Sequence, residues 1–184
     1  MNPLKQRPDG YYDMDFEHLA QVADERCRLL ILCNPHNPGG ICWPRETLER
    51  LAKFCYERGI LVISDEIHCE LAMPGHKFIP FAAVNETNLH NSVTLNSPSK
   101  SFNTAGLQIA NIICADAETR RRIDRVINIF EVCDVNSFGP VALKAAYNES
   151  EQWLDALNQY IWANYQYLKQ ELESKLPKVH VCLL

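Results

Sequence analysis

The residues of this chain that are best suited to chemistry form three polar groups, and each group follows a short apolar run. The first is Asn-Pro-His-Asn-Pro-Gly-Gly at 34–40, the second Ser-Asp-Glu-Ile-His at 64–68, and the third Ser-Pro-Ser-Lys-Ser-Phe-Asn at 97–103. Together they supply an amine, a carboxylate, an amide, imidazoles and hydroxyls. These are the groups with which proteins bind an organic cofactor and move protons.

The lysine and the aspartate suggest a particular kind of cofactor. The amine of Lys100 can form an imine with an aldehyde when it is unprotonated for part of the time. The carboxylate of Asp65, directly after an apolar run, can keep a pyridine nitrogen protonated, so that the ring takes up electrons from a carbanion. An aldehyde on a pyridine ring describes pyridoxal 5'-phosphate (PLP), and these residue types suit that cofactor.

The remaining polar residues match the other groups of PLP. Asn37 and His68 are both candidates to hydrogen-bond the phenolic oxygen of the ring. The hydroxyls of Ser97 and Ser99, beside the lysine, can hold the phosphate. Each of these residues alone has an ordinary explanation as a loop or capping side chain, and the prediction rests on the set.

The apolar runs predict the elements that position these residues. Each run is short and continuous, which is typical of a strand buried on both faces, and we predict strands at 29–33, 60–63, 92–95 and 109–114. Strand–helix–strand order with short loops indicates right-handed βαβ units. The predicted fold class is therefore α/β, with a mostly parallel sheet flanked by helices. The carboxyl ends of neighbouring strands would then bring the three polar groups together.

A helix between the first two strands has clear boundaries. Pro44 suits its first turn and Gly59 suits a left-handed residue after its end. Its predicted apolar face comprises Leu48, Leu51, Ala52, Cys55 and Tyr56. A weaker helical pattern covers 15–24, and the first ten residues are expected to be irregular.

The C-terminal part of the sequence reads as helical. We predict helices at 118–133, 140–147 and 151–176, followed by the start of a strand at 178–184. The expected domains are therefore 1–150, part of a cofactor-binding domain, and 151–184, a linking helix and the start of a smaller domain. A strand with no partner in view suggests that the natural protein continues. Five aromatic residues of the long helix are expected to form one packing stripe: Trp153, Tyr160, Trp162, Tyr165 and Tyr167.

The three polar groups resemble the best-known motifs of fold-type I PLP-dependent enzymes, the class I/II aminotransferase family. They occur in the order that this family has, and they span 29–108 with their strands. The resemblance is closer to the MalY/PatB branch, the cystathionine β-lyase-like C–S lyases. His36, Asp-Glu-Ile-His at 65–68, and Lys-x-Phe-Asn-x-Ala-Gly-Leu at 100–107 carry that closer resemblance.

The resemblance implies a role for each matching residue. Lys100 would be the Schiff-base lysine, Asp65 would pair with the pyridine nitrogen, and Asn37 would bond the phenolic oxygen. Ser97 would contact the phosphate, and His68 stands where many relatives have tyrosine. The implied activity is a C–S β-lyase acting on an amino acid, with an aminotransferase as the alternative. A homodimer is also implied, because enzymes of this family usually build their sites across two subunits.

Two departures from the family pattern bear on activity. Gln108 stands eight residues after the lysine, where many aminotransferases have a phosphate-binding arginine. Members of the family are also considerably longer, with a phosphate cup before this region and a substrate-binding arginine after it. An alternative is therefore that these 184 residues alone are catalytically inactive and only bind PLP or dimerise.

Composition weighs against several other functions. The chain has 18 Lys plus Arg against 23 Asp plus Glu, so its net charge of −5 argues against a general nucleic-acid binder. Its basic cluster at 120–125 is interpreted as the solvated face of a helix. No apolar run is long enough to span a membrane.

The eight cysteines fit a reduced protein better than a disulfide or zinc framework. No two of them have a C-x-x-C spacing, and several lie inside apolar runs, where a thiol behaves as a small hydrophobic group. The predicted compartment is the cytoplasm, where thiols stay reduced. His36 and His68, with Cys69 and Glu66 nearby, lack a compact ligand spacing, so no metal site is predicted.

Overall fold

The structure, a computed structural model, describes residues 2–8, 10–132 and 134–183. The strands are β1 (Leu4–Gln6), β2 (Tyr12–Met14), β3 (Leu29–Cys33), β4 (Leu61–Asp65), β5 (Ser92–Asn96) and β6 (Asn111–Ile113). The helices are α1 (Phe16–Val22), α2 (Arg45–Glu57), α3 (Glu86–His90), α4 (Ala117–Ile129), α5 (Gly139–Glu149) and α6 (Glu151–Lys175). Short 3-10 turns lie at Phe81–Ala83 and Ala105–Leu107.

Four strands form the central sheet in the order β3-β4-β5-β6. The first three strands are parallel, as the βαβ pattern predicts, and β6 runs antiparallel to β5. The short β1 and β2 pair with each other as a separate antiparallel ribbon. The fold is therefore α/β with a mixed, mostly parallel sheet, which confirms the predicted class.

The main core lies between the sheet and α2. Four residues of the predicted apolar face of α2 are buried: Leu48, Leu51, Ala52 and Cys55. The fifth, Tyr56, was wrongly assigned to that face, because its side chain is 64% exposed. Gly59 has φ +63°, so the predicted left-handed residue after the helix is confirmed. Trp43 and Phe81 complete the core from the loops on either side.

Three other expectations at the ends and edge of the chain are wrong. The first ten residues are not irregular, since β1 lies within them, and three-residue strands are too short to show an alternating pattern. No strand is found at 178–183, the described part of the predicted one; Cys182 O accepts a hydrogen bond from the Tyr165 hydroxyl (2.9 Å). Strands β3 and β6 are not buried on both faces, since Ile31 is 74% exposed and Ile113 is 52% exposed.

The aromatic residues of α6 do not form one stripe. Trp153, Tyr160 and Tyr167 recur every seven residues, which keeps them on one side of a helix, and all three are exposed. Trp162 and Tyr165 lie on another side, where their rings stack with centroids 5.2 Å apart. The long helix therefore presents two separate aromatic surfaces.

None of the helices that the structure describes is both long and apolar enough to cross a lipid bilayer. The basic residues of α4 are exposed, as predicted for a solvated helix face. The seven described cysteines are all free thiols, which agrees with a reduced protein, and Cys133 lies outside the described residues.

Candidate functional site

The carboxyl ends of β3, β4 and β5 lie level with one another. In the register of the sheet, Cys33 pairs with Asp65, and Asp65 pairs with Leu95. Backbone hydrogen bonds continue this alignment one residue further, from Asn34 N to Asp65 O (2.9 Å) and from Glu66 N to Leu95 O (2.8 Å). The three polar groups therefore leave the sheet side by side, as predicted.

The first loop is held in a compact shape by its own backbone. The Asn34–Pro35 and Asn37–Pro38 peptide bonds are both cis. The amide of Gly40 donates to the carbonyl of His36 (2.8 Å), and the amide of Gly39 donates to His36 Nδ1 (3.2 Å). A Cβ atom at Gly39 would lie 2.8 Å from that ring nitrogen, which explains the glycine there. Asn37 is exposed at the tip of the loop, with its side chain available to a ligand.

The second loop carries Asp65 and His68. Asp65 is half-buried, and its Oδ1 accepts a hydrogen bond from the amide of Ile67 (3.2 Å). The pKa of His68 is lowered mainly by burial and also by the positive charge of Lys100, whereas the charge of Asp65 raises it. The three side chains are thus close enough to influence one another, and the imidazole is kept neutral near neutral pH.

The third loop presents Lys100 on a pair of tight turns after β5. The amide of Phe102 donates to Pro98 O (2.9 Å), and the amide of Thr104 donates to Ser99 O (3.1 Å). The ring of Phe102 stacks on Trp153 of α6 with centroids 5.9 Å apart. Lys100 itself is exposed, so its amine is accessible on a loop that two turns and an aromatic contact hold in place.

The two serines beside the lysine have different surroundings. Ser97 is buried, and its Oγ donates to the carbonyl of Ile109 (2.6 Å) while it lies 2.5 Å from Ser99 Oγ. The amide of Ser99 also donates to Ser97 Oγ (3.1 Å). Because a hydroxyl has a single proton to donate, Ser97 uses its own within the protein. Ser99 Oγ is then the donor in its contact with Ser97, and Ser99, which is half-buried, would have to turn away from Ser97 to donate to a phosphate.

Asn37 and His68 line the same cleft, which has a volume of about 220 Å³. Its other walls include residues that the sequence did not single out: Cys42, Leu71, Met73, His76 and Ile161. They come together because α6 packs on the loop after β4. There, Asn158 Nδ2 donates to Glu70 O (2.9 Å), and the His76 and Trp162 rings lie edge to face with centroids 5.8 Å apart. Contacts between residues so distant in the chain leave no signal in a local pattern.

Other predicted residues lie beside this cleft or away from it. Asp65, Ser97, Ser99 and Lys100 are not part of its walls. Gln108 is exposed and has a left-handed backbone conformation, with φ 49°. Among the residues that the structure describes, no group of three or more His, Cys, Asp or Glu side chains is arranged to hold a metal ion.

Comparisons with known proteins agree with this geometry. The family model described as "Aminotransferase class I and II" matches residues 4–182, and the chain belongs to that family. It is 42% identical to cystathionine beta-lyase PatB of Bacillus subtilis (strain 168) over 97% of its length and 46% of the relative.

Solved structures also match closely. The PLP-bound putative aminotransferase from Clostridium difficile 630 matches with a TM-score of 0.92 at 33% identity, over 96% of this chain and 46% of that one. The PLP-bound C-S lyase from Staphylococcus hominis matches with a TM-score of 0.86 at 37% identity, over 96% of this chain and 44% of that one. The chain thus spans about half the length of the proteins that it matches.

Proposed function

We propose that Lys100, Asp65, Asn37, His68, Ser97 and Ser99 form a PLP site and that the full-length protein is a PLP-dependent enzyme acting on amino acids. The observation that carries this proposal is the level alignment of three parallel strand ends, each followed by one of the polar groups. PLP-bound solved structures among the matches support it.

The chemical groups at these strand ends fit the cofactor. The exposed amine of Lys100 suits an imine with the aldehyde, and the half-buried carboxylate of Asp65 suits the pyridine nitrogen. Asn37 and His68 line one cleft, and each carries a side-chain donor that suits a phenolic oxygen. The fit is weakest at the phosphate, where Gln108 offers no positive charge and only the serine loop contributes hydroxyls. Bound PLP would supply an electron-accepting ring that stabilises negative charge on the substrate's α-carbon.

The residues of the chain would then move the protons. Lys100 Nζ, as a free amine, would take the proton from the substrate's α-carbon and later help to release the product. His68 would donate a hydrogen bond without adding a positive charge beside Lys100, since its lowered pKa keeps the imidazole neutral. The Asp65 carboxylate would hold its partner nitrogen protonated throughout.

We infer that the reaction is β-elimination at a C–S bond, with a cysteine conjugate or cystathionine as substrate. The support is the 42% identity to cystathionine beta-lyase PatB and the match to the S. hominis C-S lyase. Transamination is the second candidate, because the C. difficile structure is described as a putative aminotransferase. Both reactions begin with removal of the same α-proton, so the residues of this chain serve either one.

The proposed homodimer would be formed at an exposed apolar surface between α4 and α5. We define this surface by five residues: Ile129, Phe130, Val132, Val135 and Phe138. Its two phenylalanines are 70% and 72% exposed, respectively, and exposed large apolar side chains favour contact with another protein surface. Size-exclusion chromatography with light scattering should give a molar mass of twice that of one chain. The double variant Phe130→Glu, Phe138→Glu should give the mass of a single chain. A monomeric wild-type protein would contradict the proposal.

The PLP site is tested by adding PLP, reducing with borohydride, and mapping the modified lysine by mass spectrometry. We expect a visible absorption band and a single adduct at Lys100, both lost in Lys100→Ala. Lys144→Ala is the matched control, because Lys144 is also exposed but lies on α5, and it should leave both unchanged. An adduct on another lysine in the full-length protein, with Lys100 unmodified, would disprove the site.

The reaction type is tested by supplying cystathionine, or an amino acid with a keto acid, to the full-length protein. Release of a thiol with pyruvate and ammonia identifies the lyase, whereas exchange of the amino group identifies the aminotransferase. The same assays on the 184-residue chain test whether this part alone is inactive. Turnover by that chain would exclude the proposal that it acts only as a binding or dimerising module.

A further inference from the structure

Two neighbouring carboxylates at the end of β4 face opposite sides of the sheet. Side chains alternate along a strand, so Ser64 and Glu66 point to one side and Asp65 points to the other. Ser64 and Glu66 are buried, whereas Asp65 is only half-buried. The carboxylate of Asp65 belongs to the proposed cofactor site, and the carboxylate of Glu66 has no role in that site as described so far.

Glu66 is bonded to the protein interior on its own side. It is 3% exposed, and its Oε1 accepts hydrogen bonds from Ser64 Oγ (2.9 Å) and from the backbone amide of Phe81 (2.8 Å). Burial raises the pKa of Glu66, while these two hydrogen bonds act in the opposite direction. A carboxyl group at this position costs free energy that an apolar side chain would not.

The neighbouring strand makes an equivalent contact with the same piece of chain. Asn34 follows Cys33, the last residue of β3, which pairs with Asp65. The Nδ2 of Asn34 donates to the carbonyl of Ile79 (2.9 Å). Residues 79–81 therefore cross both strand ends; we call them the crossing segment. The side chain of Phe81 lies fully buried in the main core, which fixes one end of the crossing segment.

We propose that Glu66 is a positioning residue for Asp65, because its bond to the crossing segment fixes the direction in which the end of β4 presents the Asp65 carboxylate. This inference rests on the proposed PLP site. The backbone of Glu66 is bonded on both sides as well, from its amide to Leu95 O (2.8 Å) and from the Cys69 amide to its carbonyl (3.0 Å). A shift of Glu66 would therefore move Asp65 and the turn that carries His68.

Three variants of the full-length protein separate positioning from simple stabilisation. Glu66→Ala removes both hydrogen bonds of the side chain, and Glu66→Gln keeps its size and one acceptor oxygen. Ser92→Ala is the matched control, because Ser92 Oγ donates to Asn88 O (2.6 Å) in a buried site at the opposite end of its strand. All three variants are expected to be somewhat less stable than the wild type.

The measurements are the affinity for PLP, the pH titration of the visible band, and the crystal structure of each variant without cofactor. Glu66→Ala should bind PLP about tenfold more weakly, which is the effect expected if a misdirected Asp65 loses most of one charge-assisted hydrogen bond to the cofactor. It should also shift the titration of the band, while Glu66→Gln recovers most of both properties and Ser92→Ala changes neither. In the crystal structure of Glu66→Ala, the Asp65 carboxylate should point in a new direction.

Two results would overturn the proposal. One is a Glu66→Ala protein with the PLP affinity and band titration of the Ser92→Ala control. The other is a Glu66→Ala crystal structure in which Asp65 has not moved. Failure of the proposed function is seen separately, as a wild-type protein without a band at Lys100. In that case the direction of Asp65 in the cofactor-free crystals still decides whether Glu66 positions it.

Discussion

The region from α1 to the end of β5 and the helical region from α4 to α6 differ in how their apolar residues are covered. In the first region, side chains from the sheet, α2 and the connecting loops bury one another in a continuous core. In the second, neither α4 nor α6 has a buried residue, and α5 has only Gly139 and Ala146. Both regions have clear sequence patterns, yet among the described residues the continuous buried core lies in the first region.

This difference shows that an amphipathic pattern predicts a helix without predicting what covers it. Leu51 and Leu168 both occupy apolar positions of long helices, but Leu51 is completely buried and Leu168 is 51% exposed. The apolar residues of α2 meet the sheet of the same chain. The apolar surface between α4 and α5 has no such partner within the described residues, and in the proposed homodimer a second copy of the chain would cover it.

A matched pair of leucine substitutions should give the largest difference between the regions. Leu51→Ala leaves a cavity in the core and should lower the free energy of unfolding by about 2–5 kcal/mol. Leu168→Ala removes a half-exposed side chain of α6 and should change it by no more than about 0.5 kcal/mol. Denaturant unfolding of both variants provides the measurement. Equal losses would show that α6 is covered in solution by a surface not present in this chain's own contacts.

A pair of glycine substitutions should give a smaller difference. Gly59 has φ +63°, a conformation that side chains disfavour, so Gly59→Ala should cost about 1 kcal/mol. Gly106 has no positive φ and open space around it, so Gly106→Ala should be neutral or slightly stabilising. Thermal unfolding compares the two at equal protein concentration. If Gly59→Ala left the unfolding temperature unchanged, the turn after α2 would be able to rearrange without a loss of stability.

The sequence predicted the parts of the fold that depend on local chemistry. The apolar run of β3, the turn at Gly59 and the position of Asp65 at a strand end all follow from neighbouring residues, and the structure has each of them. The three strand-end groups could be placed together because parallel strands align their carboxyl ends. Whether those residues carry out the assigned roles stays a prediction, since geometry alone does not test it.

The sequence could not predict features that depend on distant contacts. The crossing segment is hydrogen-bonded to Glu66, which lies 15 residues away from Phe81 in the sequence. It is also hydrogen-bonded to Asn34, which lies 45 residues away from Ile79. Ile161 reaches the cleft from a helix near the other end of the chain. Tyr56 was misplaced for a related reason, because its helical position borders the apolar face and only the packed sheet decides on which side it lies.

The smallest expected effects are on the pH dependence of stability. Glu66 in the first region should lower stability as pH rises, and Asp116 in the second should lower it as pH falls. Burial raises the pKa of Glu66 above its ordinary value of 4.5, so its contribution to stability is full below that pH and is lost as pH rises through the raised pKa. Hydrogen bonding to Thr119 at the start of α4 lowers the pKa of Asp116 below 3.8, so its contribution is present above that pH and is lost as pH falls.

Urea unfolding from about pH 3 to about pH 8 separates these two contributions. Glu66→Gln should remove part of the stability loss that the wild type shows as pH rises above 4.5. Asp116→Asn should instead remove part of the loss as pH falls below 3.8, and by less, because that side chain is near solvent and can be rehydrated. If Glu66→Gln changed the free energy of unfolding only below pH 4.5, the pKa of Glu66 in the folded protein would be lowered and not raised. The contrast between a buried carboxylate in the core and a solvated one on the exposed helices would then no longer hold.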